Sequence, residues 1–244
     1  MKYFQDFQNL LYLFGDEDKA TIFQDLSRYA NIVDQIKDDV TFLNFHTIQD
    51  GFRPDQVSIQ LYETPLYYWT FYLLNDDIRQ QGWPLINGEF QTYIKKIFPN
   101  KTVTTRDNIS AKFKVGQTIT GATSGASGVI LRRDLSLGQM VVQLTTTRTF
   151  TTTGELLQST NASGVVETVT SSSSANEYQA VHHYLRDGEI LQNYNPLDGP
   201  GAQDTPVTFE EVWFNNNDSL KLIRVIKPSL ISKVVTSYKK SLRE

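Results

Sequence analysis

An aromatic-rich stretch, residues 61–85, decides the fold, and it reads Leu61-Tyr-Glu-Thr-Pro-Leu-Tyr-Tyr-Trp-Thr-Phe-Tyr-Leu-Leu-Asn-Asp-Asp-Ile-Arg-Gln-Gln-Gly-Trp-Pro-Leu85. Seven of these residues are aromatic, compared with 12% of the whole chain. Thr64 followed by Pro65 predicts a helix start, because proline at the first helical position gives up no backbone donor that the helix needs. The predicted helix, residues 65–75, is apolar on nearly every side, so we expect it to be buried on more than one side.

The faces of this predicted helix have different expected roles. Leu66, Trp69 and Leu73 share one face at helical spacing, which predicts packing on the preceding helix. Tyr67 lies about 160° from Trp69 at ~100° per residue, and Tyr72 is off-axis from both. Because protein interfaces favour tyrosine and tryptophan, Tyr67 and Tyr72 are candidate partner contacts. The alternative interpretation is that the whole helix is core.

The composition excludes several classes of protein. The chain has 244 residues and a formal net charge of −4, which argues against a nucleic-acid partner, since that would need a basic face. It has no cysteine, so disulfides and thiolate metal sites are excluded. No apolar run approaches 20 residues, and the N-terminus does not resemble a secretion signal. We expect no membrane partner and a protein that is made and folds in a cytoplasm.

The N-terminal third alternates predicted helices and strands. Apolar residues every three or four positions predict an amphipathic helix over residues 21–39, and β-branched and aromatic residues predict a strand over 41–48. Pro54 opens a predicted helix that ends at Tyr62, and Asn87 caps another that Pro99 closes. Residues 3–14 are very apolar and must dock either on the protein's own core or on a partner. The partner-contact candidates in this segment are Phe4, Phe7 and Leu11.

The composition changes at about residue 102. Residues 102–174 are dominated by Thr, Ser, Gly and Val, and they contain an internal repeat in which Gly116 matches Gly154. Two copies are too few for a solenoid and suit a small, pseudo-symmetric β-barrel or sandwich. Residues 171–174, all serine, indicate a linker at its end.

Aromatic residues return after residue 177. Residues 178–194 predict a hairpin with a type I′ turn at Asp187-Gly188, and residues 207–214 with 220–226 predict a second hairpin. The last predicted helix, 229–242, has an apolar stripe that contains Val234 and Tyr238, and this stripe either packs on the protein's own sheet or bridges to another subunit. The predicted fold is therefore an α+β domain of residues 1–101 and 175–244, with an all-β domain inserted at 102–174.

No catalytic constellation stands out in the sequence. His182 and His183 are adjacent on a predicted strand, so we expect them to point to opposite faces and not to share a metal. Residues 121–128 are glycine-rich, but no lysine follows them, which favours β-turns over a phosphate cradle. Asp76-Asp77 fits a solvated helix end. We predict no catalytic residue, no cofactor, no metal and no enzymatic activity.

The run from Phe42 to Leu85 resembles the baseplate wedge protein fifty-three family of T-even-like contractile-tailed phages. The matching features are Asp50-Gly51, Arg53-Pro54, Leu61-Tyr62, Pro65, Tyr68-Trp69, Asn75-Asp76 and Trp83. Residues 180–184, 207–211 and 217–228 resemble the tail of that family. The similarity covers about residues 1–100 and 178–244, and residues 102–174 depart from the family pattern. That insertion resembles β modules inserted in marine phage structural proteins.

The resemblance implies a LysM-like strand-helix-helix core, C-terminal hairpins and helix, and a structural role. Members of the family join a baseplate wedge, clamp neighbouring subunits and help to link wedges into a sixfold ring around the hub. The expected partners are therefore other wedge subunits, and the expected location is the virion tail baseplate, assembled in the host cytoplasm. The alternative function is a carbohydrate- or peptidoglycan-binding module of a phage tail, although the Gly-Asp-Thr opening of sugar-binding LysM modules is missing.

Overall fold

The protein has an α+β fold, with 30% of the described residues in helices and 32% in strands of several small sheets. The structure, a computed structural model, describes residues 9–13, 21–24 and 41–241. The chain divides into two compact units. Unit 1 consists of residues 1–86 and 217–244, and unit 2 of residues 87–216.

The described chain has a cluster of helices after β3 and a long run of strands from β4 to β12. The helices are α1 (Pro54–Tyr62), α2 (Trp69–Leu74), α3 (Asp76–Gln81), α4 (Asn87–Ile97), α5 (Phe209–Ser219) and α6 (Ile231–Ser241). The strands are β1 (Asn9–Tyr12), β2 (Thr21–Gln24), β3 (Leu43–Thr47), β4 (Lys101–Thr105), β5 (Thr118–Gly121), β6 (Ser127–Asp134), β7 (Gln139–Leu144), β8 (Leu156–Thr160), β9 (Val166–Asn176), β10 (Val181–Arg186), β11 (Glu189–Ile190), β12 (Thr205–Thr208) and β13 (Leu222–Ile226). Short 3-10 turns lie at Pro65–Tyr67, Glu177–Gln179 and Pro228–Leu230.

Unit 1 is built on a two-stranded antiparallel sheet of β3 and β13. Helix α1 begins at Pro54 as predicted, and the Arg53 N–H donates to Gln56 Oε1 at 2.9 Å to satisfy one of the free donors at the helix start. The core combines apolar side chains from both strands with those of the helices. Its fully buried members include Val57, Phe71, Ile78, Ile223 and Val225.

The aromatic stretch is not one continuous helix. It starts as the 3-10 turn Pro65–Tyr67 and continues as α2 from Trp69. Since a 3-10 turn has three residues per turn, it changes which side chains face inward. The predicted inner face is wrong at Leu66, which is 54% exposed. Trp69 does pack against the core but is only half-buried, whereas Phe71 and Leu74 are buried.

The end of α2 closes one edge of the sheet. Asn75 donates through Nδ2 to the Arg224 carbonyl at 2.9 Å, and its Oδ1 accepts the Arg224 N–H at 2.8 Å. The Tyr62 hydroxyl donates to the Ile226 carbonyl at 2.9 Å. These side chains supply hydrogen bonds that a third strand would otherwise make with β13.

Three predicted elements are corrected. Residues 21–24 form strand β2, which pairs with β1, while residues 25–39 of the predicted helix lie outside the described residues. The second predicted hairpin is wrong in its first half, because residues 209–219 form helix α5. Thr208 and Glu211 cap that helix reciprocally, with the Glu211 N–H donating to Thr208 Oγ1 at 3.2 Å and the Thr208 N–H to Glu211 Oε2 at 2.7 Å. The predicted serine linker, residues 171–174, lies inside β9.

Unit 2 contains a closed six-stranded barrel in the order β4-β7-β6-β5-β8-β9. Of the two predicted alternatives, barrel and sandwich, the structure has the barrel. Its interior is filled by apolar side chains from the strands and from the loops between them. The largest fully buried ones are Phe113, Ile119, Ile130, Met140 and Leu157.

The sequence repeat is also a repeat of backbone hydrogen bonds. Gly116 donates to the Ile130 carbonyl at 2.8 Å, and Ile130 donates to the Gln117 carbonyl at 3.0 Å. The second copy makes the same two bonds with the corresponding residues, Gly154, Ser171 and Glu155. Both glycines have a positive φ, 89° and 72°, which favours glycine over any residue with a Cβ. The two copies of the sequence repeat therefore share the same pattern of backbone hydrogen bonds in the barrel.

The remaining elements of unit 2 pack through aromatic rings. Helices α4 and α5 meet at Phe90–Phe214 and at Tyr93–Trp213, with ring centroids 5.8 and 6.0 Å apart. The type I′ turn between β10 and β11 is confirmed by a positive φ at both central residues. Because of these helix contacts, the compact units divide at residues 86/87 and 216/217. The sequence-based boundaries at 101/102 and 174/175 follow the barrel strands more closely.

Two hydrogen bonds connect the points at which the chain leaves and re-enters unit 1. The Leu85 N–H donates to Asn217 Oδ1 at 2.8 Å, and Asn217 Nδ2 donates to the Leu85 carbonyl at 2.9 Å. Asn217 is buried, so both bonds are shielded from water.

The two hydrogen bonds between Leu85 and Asn217 predict that unit 1 folds without unit 2. Replacing residues 88–215 by a short Gly-Ser linker should leave one cooperative urea transition, followed through the fluorescence of Trp69 and Trp83. Adding Asn217→Ala to the shortened chain should lower its free energy of unfolding by about 1–3 kcal/mol, because two buried backbone groups lose their partner. A shortened chain without a cooperative transition would contradict the prediction.

A second prediction concerns the corrected inner face of α2. Phe71→Ala should reduce the free energy of unfolding by about 3–5 kcal/mol, since it removes a fully buried ring. Trp69→Ala serves as the matched control and should cost less, because Trp69 is only half-buried. Urea denaturation of both variants measures the difference. An equal or larger loss of unfolding free energy in Trp69→Ala would contradict the corrected face and favour the one that contains Trp69.

Candidate protein-interaction surface

Tyr67 and Tyr72, the predicted interface residues of the aromatic stretch, are half-buried. The Tyr67 ring meets the Tyr62 ring edge-on, with centroids 5.7 Å apart. The Tyr72 ring lies 6.0 Å from that of Trp83. Burial raises the pKa of the Tyr72 hydroxyl, and the neighbouring Tyr68 adds to the effect. Both rings belong partly to the core of unit 1 and leave only part of their surface to a partner.

Val234 and Tyr238, the candidates on the last helix, are buried inside unit 1. They are 8% and 4% exposed, and Tyr238 packs against Trp69 with ring centroids 5.3 Å apart. Together with Leu73 and other apolar side chains they line a small cavity of about 20 Å³. The stripe of α6 therefore packs on the protein's own α2 and β13, and neither residue lies on the surface of this unit.

The N-terminal hairpin of β1 and β2 exposes apolar side chains. Leu11 is 68% exposed, and Ile22, which is directly opposite it in the register, is 63% exposed. Leu13, just after β1, is 57% exposed. Cross-strand neighbours share one face of a sheet, so Leu11 and Ile22 form one apolar patch. Phe4 and Phe7, the other candidates of this segment, lie outside the described residues.

A second exposed apolar pair was not predicted from the sequence. Phe45 on β3 is 71% exposed and Leu222 on β13 is 58% exposed. Their strands pair with Phe45 opposite Arg224 and Leu222 opposite Thr47, which makes the two apolar side chains diagonal neighbours on one face. The alternation of residues 43, 45 and 47 along β3 was the available signal, because side chains two residues apart share a face.

The two adjacent histidines do not point to opposite faces. His182 Nδ1 and His183 Nδ1 are 2.9 Å apart, because the register of β10 against β12 shifts between Val181 and His183. Burial lowers the pKa of His182 and the nearby His183 lowers it further, while Asp134 acts in the opposite direction. Within residues 9–13, 21–24 and 41–241, no group of three or more His, Cys, Asp or Glu side chains is placed to hold a metal ion.

The glycine-rich loop of the barrel is already occupied by a carboxylate of the same chain. Glu155 Oε1 accepts the N–H groups of Thr123 and Ser124 at 3.1 and 2.6 Å, and Glu155 Oε2 accepts that of Thr151 at 2.7 Å. A Cβ on Gly121 would come within 2.3 Å of Glu155 Oε1. The loop amides are thus directed at Glu155, a carboxylate of the same chain.

Two further features of the described chain bear on function. Asp76 pairs with Arg79 one helical turn later, at 2.8 Å, so one member of the acidic pair is committed to a helix-surface ion pair. None of the described helices is long and apolar enough to span a membrane.

Comparison of the chain with protein-family models and with curated proteins gives no match in either case.

The contacts of Glu155 predict a pH-dependent stability of the barrel. Burial opposes ionisation, but the hydrogen bonds from Ser124 and Thr151 outweigh it, so the pKa of Glu155 lies below its ordinary value of 4.5. A carboxyl whose pKa is lowered by folding stabilises the folded state above its unfolded pKa, and this contribution is lost as the pH falls through the folded pKa.

Glu155→Gln should therefore destabilise the protein at pH 7 and flatten the decline of its stability between neutral and acidic pH. Urea unfolding followed by circular dichroism at several pH values measures both effects. The matched control is Glu89→Gln, which removes one exposed carboxylate from α4. An unchanged pH profile in Glu155→Gln would contradict the assignment.

Proposed function

We propose that the chain is a structural subunit of a phage contractile-tail baseplate wedge, which joins neighbouring wedge proteins during baseplate assembly. The observation that carries the proposal is the exposed apolar patch of the N-terminal hairpin, Leu11 and Ile22. A two-stranded hairpin is at best marginally stable alone in water. Apolar side chains on such a hairpin gain stability when another protein covers them, which is what an assembly subunit requires.

The resemblance to the baseplate wedge protein fifty-three family is the reason for proposing a phage baseplate as the assembly. Its most specific part, residues 42–85, lies within unit 1, where β3, α1 and α2 follow one another as strand, helix and helix, and α3 comes before the chain returns as β13 to pair with β3. This order supports the proposed LysM-like core. The same unit contains the exposed hairpin and the exposed pair Phe45 and Leu222, so the resemblance and the apolar surface coincide in one unit.

A clamp between subunits needs more than one contact. The hairpin patch and the face around Phe45 are two exposed apolar sites of unit 1. Two modest contacts that are linked in one molecule bind far more tightly than either alone, provided that both can be engaged together. The proposed partners are therefore other wedge subunits, with neighbouring wedges joined in a sixfold ring, and the proposed location is the virion tail baseplate.

Purified virions from the source of the chain test the proposal directly. Antibodies raised against the recombinant protein should label the baseplate end of contractile tails in electron micrographs, and mass spectrometry should find the chain in the tail fraction. Absence of the chain from such particles would overturn the proposed function. Tight and saturable binding to purified peptidoglycan, with no incorporation into tails, would favour the carbohydrate-binding alternative.

The hairpin patch gives a prediction for assembly. Leu11→Asp combined with Ile22→Asp should lower incorporation into tail particles at least tenfold, because it replaces the apolar contact by two charges that must be buried. Both side chains are exposed in the free protein, so its thermal stability should hardly change. Quantitative mass spectrometry of particles complemented with the variant measures incorporation.

The matched control is Val115→Asp, an exposed apolar residue of unit 2 with 59% exposure. It should be incorporated like the wild type. Normal incorporation of the double variant would show that the hairpin is not the contact that the proposal depends on.

A further inference from the structure

The sheet of β3 and β13 in unit 1 has two outer edges, which differ in how their backbone groups are hydrogen-bonded. The Ile48 N–H donates to the Lys221 carbonyl at 2.8 Å, and the Lys227 N–H donates to the Phe42 carbonyl at 2.9 Å. Both bonds belong to the register in which Thr47 faces Leu222. In an antiparallel pair, hydrogen-bonded positions alternate with positions whose backbone groups point outward. The even-numbered residues of β3 therefore bond to β13, and the odd-numbered ones direct their N–H and C=O groups to the opposite edge.

The outer edge of β13 is closed. The carboxamide of Asn75 makes both hydrogen bonds that a neighbouring strand would make with Arg224, and the Tyr62 hydroxyl bonds to the Ile226 carbonyl. These contacts come from α1 and from the end of α2, so they are fixed by the core of unit 1. No strand can add there without displacing them.

The outer edge of β3 is open in the described part of the chain. There β3 pairs with β13 alone, and no hydrogen-bond partner lies against the outward backbone groups of Leu43, Phe45 and Thr47. Soluble proteins usually protect such an edge with lysine, proline or a bulge. These three residues include no charge and no proline, and the register of β3 has no shift.

The chemistry of this edge defines its occupant. Alternating N–H and C=O groups at the spacing of a strand are matched by an extended backbone, and strand addition to a sheet edge is a common mode of recognition. The 71% exposed ring of Phe45 and the 58% exposed Leu222 lie on one face beside the edge. An added strand that carries an apolar side chain on that face would cover both.

We infer that the outer edge of β3 accepts an extended segment of a neighbouring subunit, which adds to the sheet as a third strand. The inference rests on the proposed assembly function and names the contact through which the clamp acts. A second copy of this chain is a poorer occupant, since a five-residue strand is only about 17 Å long. Pairing two such edges buries far less than the ~1,200 Å² of a stable interface. A segment of a larger assembly, in contrast, is held by its other contacts as well.

Hydrogen exchange tests the edge in the free protein and in the particle. In the purified chain, the amides of Phe45 and Thr47 should exchange quickly, while that of His46, which bonds to β13, should be protected. In tail particles, a peptide that covers residues 43–47 should gain protection at about three amides. Protection of Phe45 and Thr47 in the free monomer would mean that the chain covers its own edge, and it would overturn the inference.

A proline variant tests the backbone bonds separately. Thr47→Pro removes an N–H that points to the open edge and leaves the bonds to β13 intact, so the melting temperature should change little. Its incorporation into tail particles should fall at least tenfold, whereas Thr47→Ala, which keeps the N–H, should be incorporated normally. If Thr47→Pro lowers the melting temperature strongly, Phe45→Asp is measured in its place, with the same expected loss.

The possible outcomes separate the inference from the proposed function. A chain that is present in tails, with normal incorporation of Thr47→Pro and Phe45→Asp and unchanged exchange over residues 43–47, would overturn the strand contact alone. A wild-type chain that is absent from tails would overturn both. A dimer in solution that Thr47→Pro dissociates would assign the edge to a second copy and overturn the inference.

Discussion

The hydrogen bonds between the Asn75 carboxamide and the backbone of Arg224 join the two chain segments that form unit 1. They join residues that are 149 positions apart in the chain, and between them the chain leaves to build unit 2 and then returns. A third bond, from Asn75 Nδ2 to the Phe71 carbonyl, fixes the carboxamide at the end of α2. These three bonds hold β13 against the aromatic stretch. They also occupy the outward N–H and C=O groups of Arg224, so the outer edge of β13 is closed to other strands.

Because the outer edge of β13 is closed, only the outer edge of β3 can accept a further strand in this sheet of the described chain. Unit 2 contains a barrel, and a closed barrel has no free strand edges. Unit 2 also has an open three-stranded sheet in the order β11-β10-β12. In the described part of unit 1 there are two open two-stranded sheets, and both expose apolar side chains: Leu11 and Ile22 on the hairpin, and Phe45 beside the edge of β3. The proposed clamp to neighbouring subunits uses the open edge of β3 and the exposed apolar side chains of unit 1.

The aromatic stretch that dominates the sequence has mainly a structural role. Phe71 is fully buried, Tyr62 uses its hydroxyl on the Ile226 carbonyl, and Trp69 packs against Tyr238 of the last helix. The sequence-based interface candidates Val234 and Tyr238 belong to the same core. An apolar stripe does not reveal what covers it, since the protein's own sheet and a partner subunit bury the same kinds of side chain.

The sequence alone determined the α+β class, helix α1 from Pro54 to Tyr62, the turn at Asp187-Gly188 and the extent of the repeated β region. Each of these follows from local chemistry: a proline at a helix start, a glycine with positive φ, and a pattern of β-branched residues. It also contained the reciprocal cap of Thr208 and Glu211, which marks α5 and which the hairpin prediction overlooked. Only the tertiary structure decided the inner face of α2, because a 3-10 turn before Trp69 shifts the helical phase. The long-range pairing of β3 with β13 likewise depends on contacts between distant residues, and it alone determines that Phe45 and Leu222 lie on one exposed face.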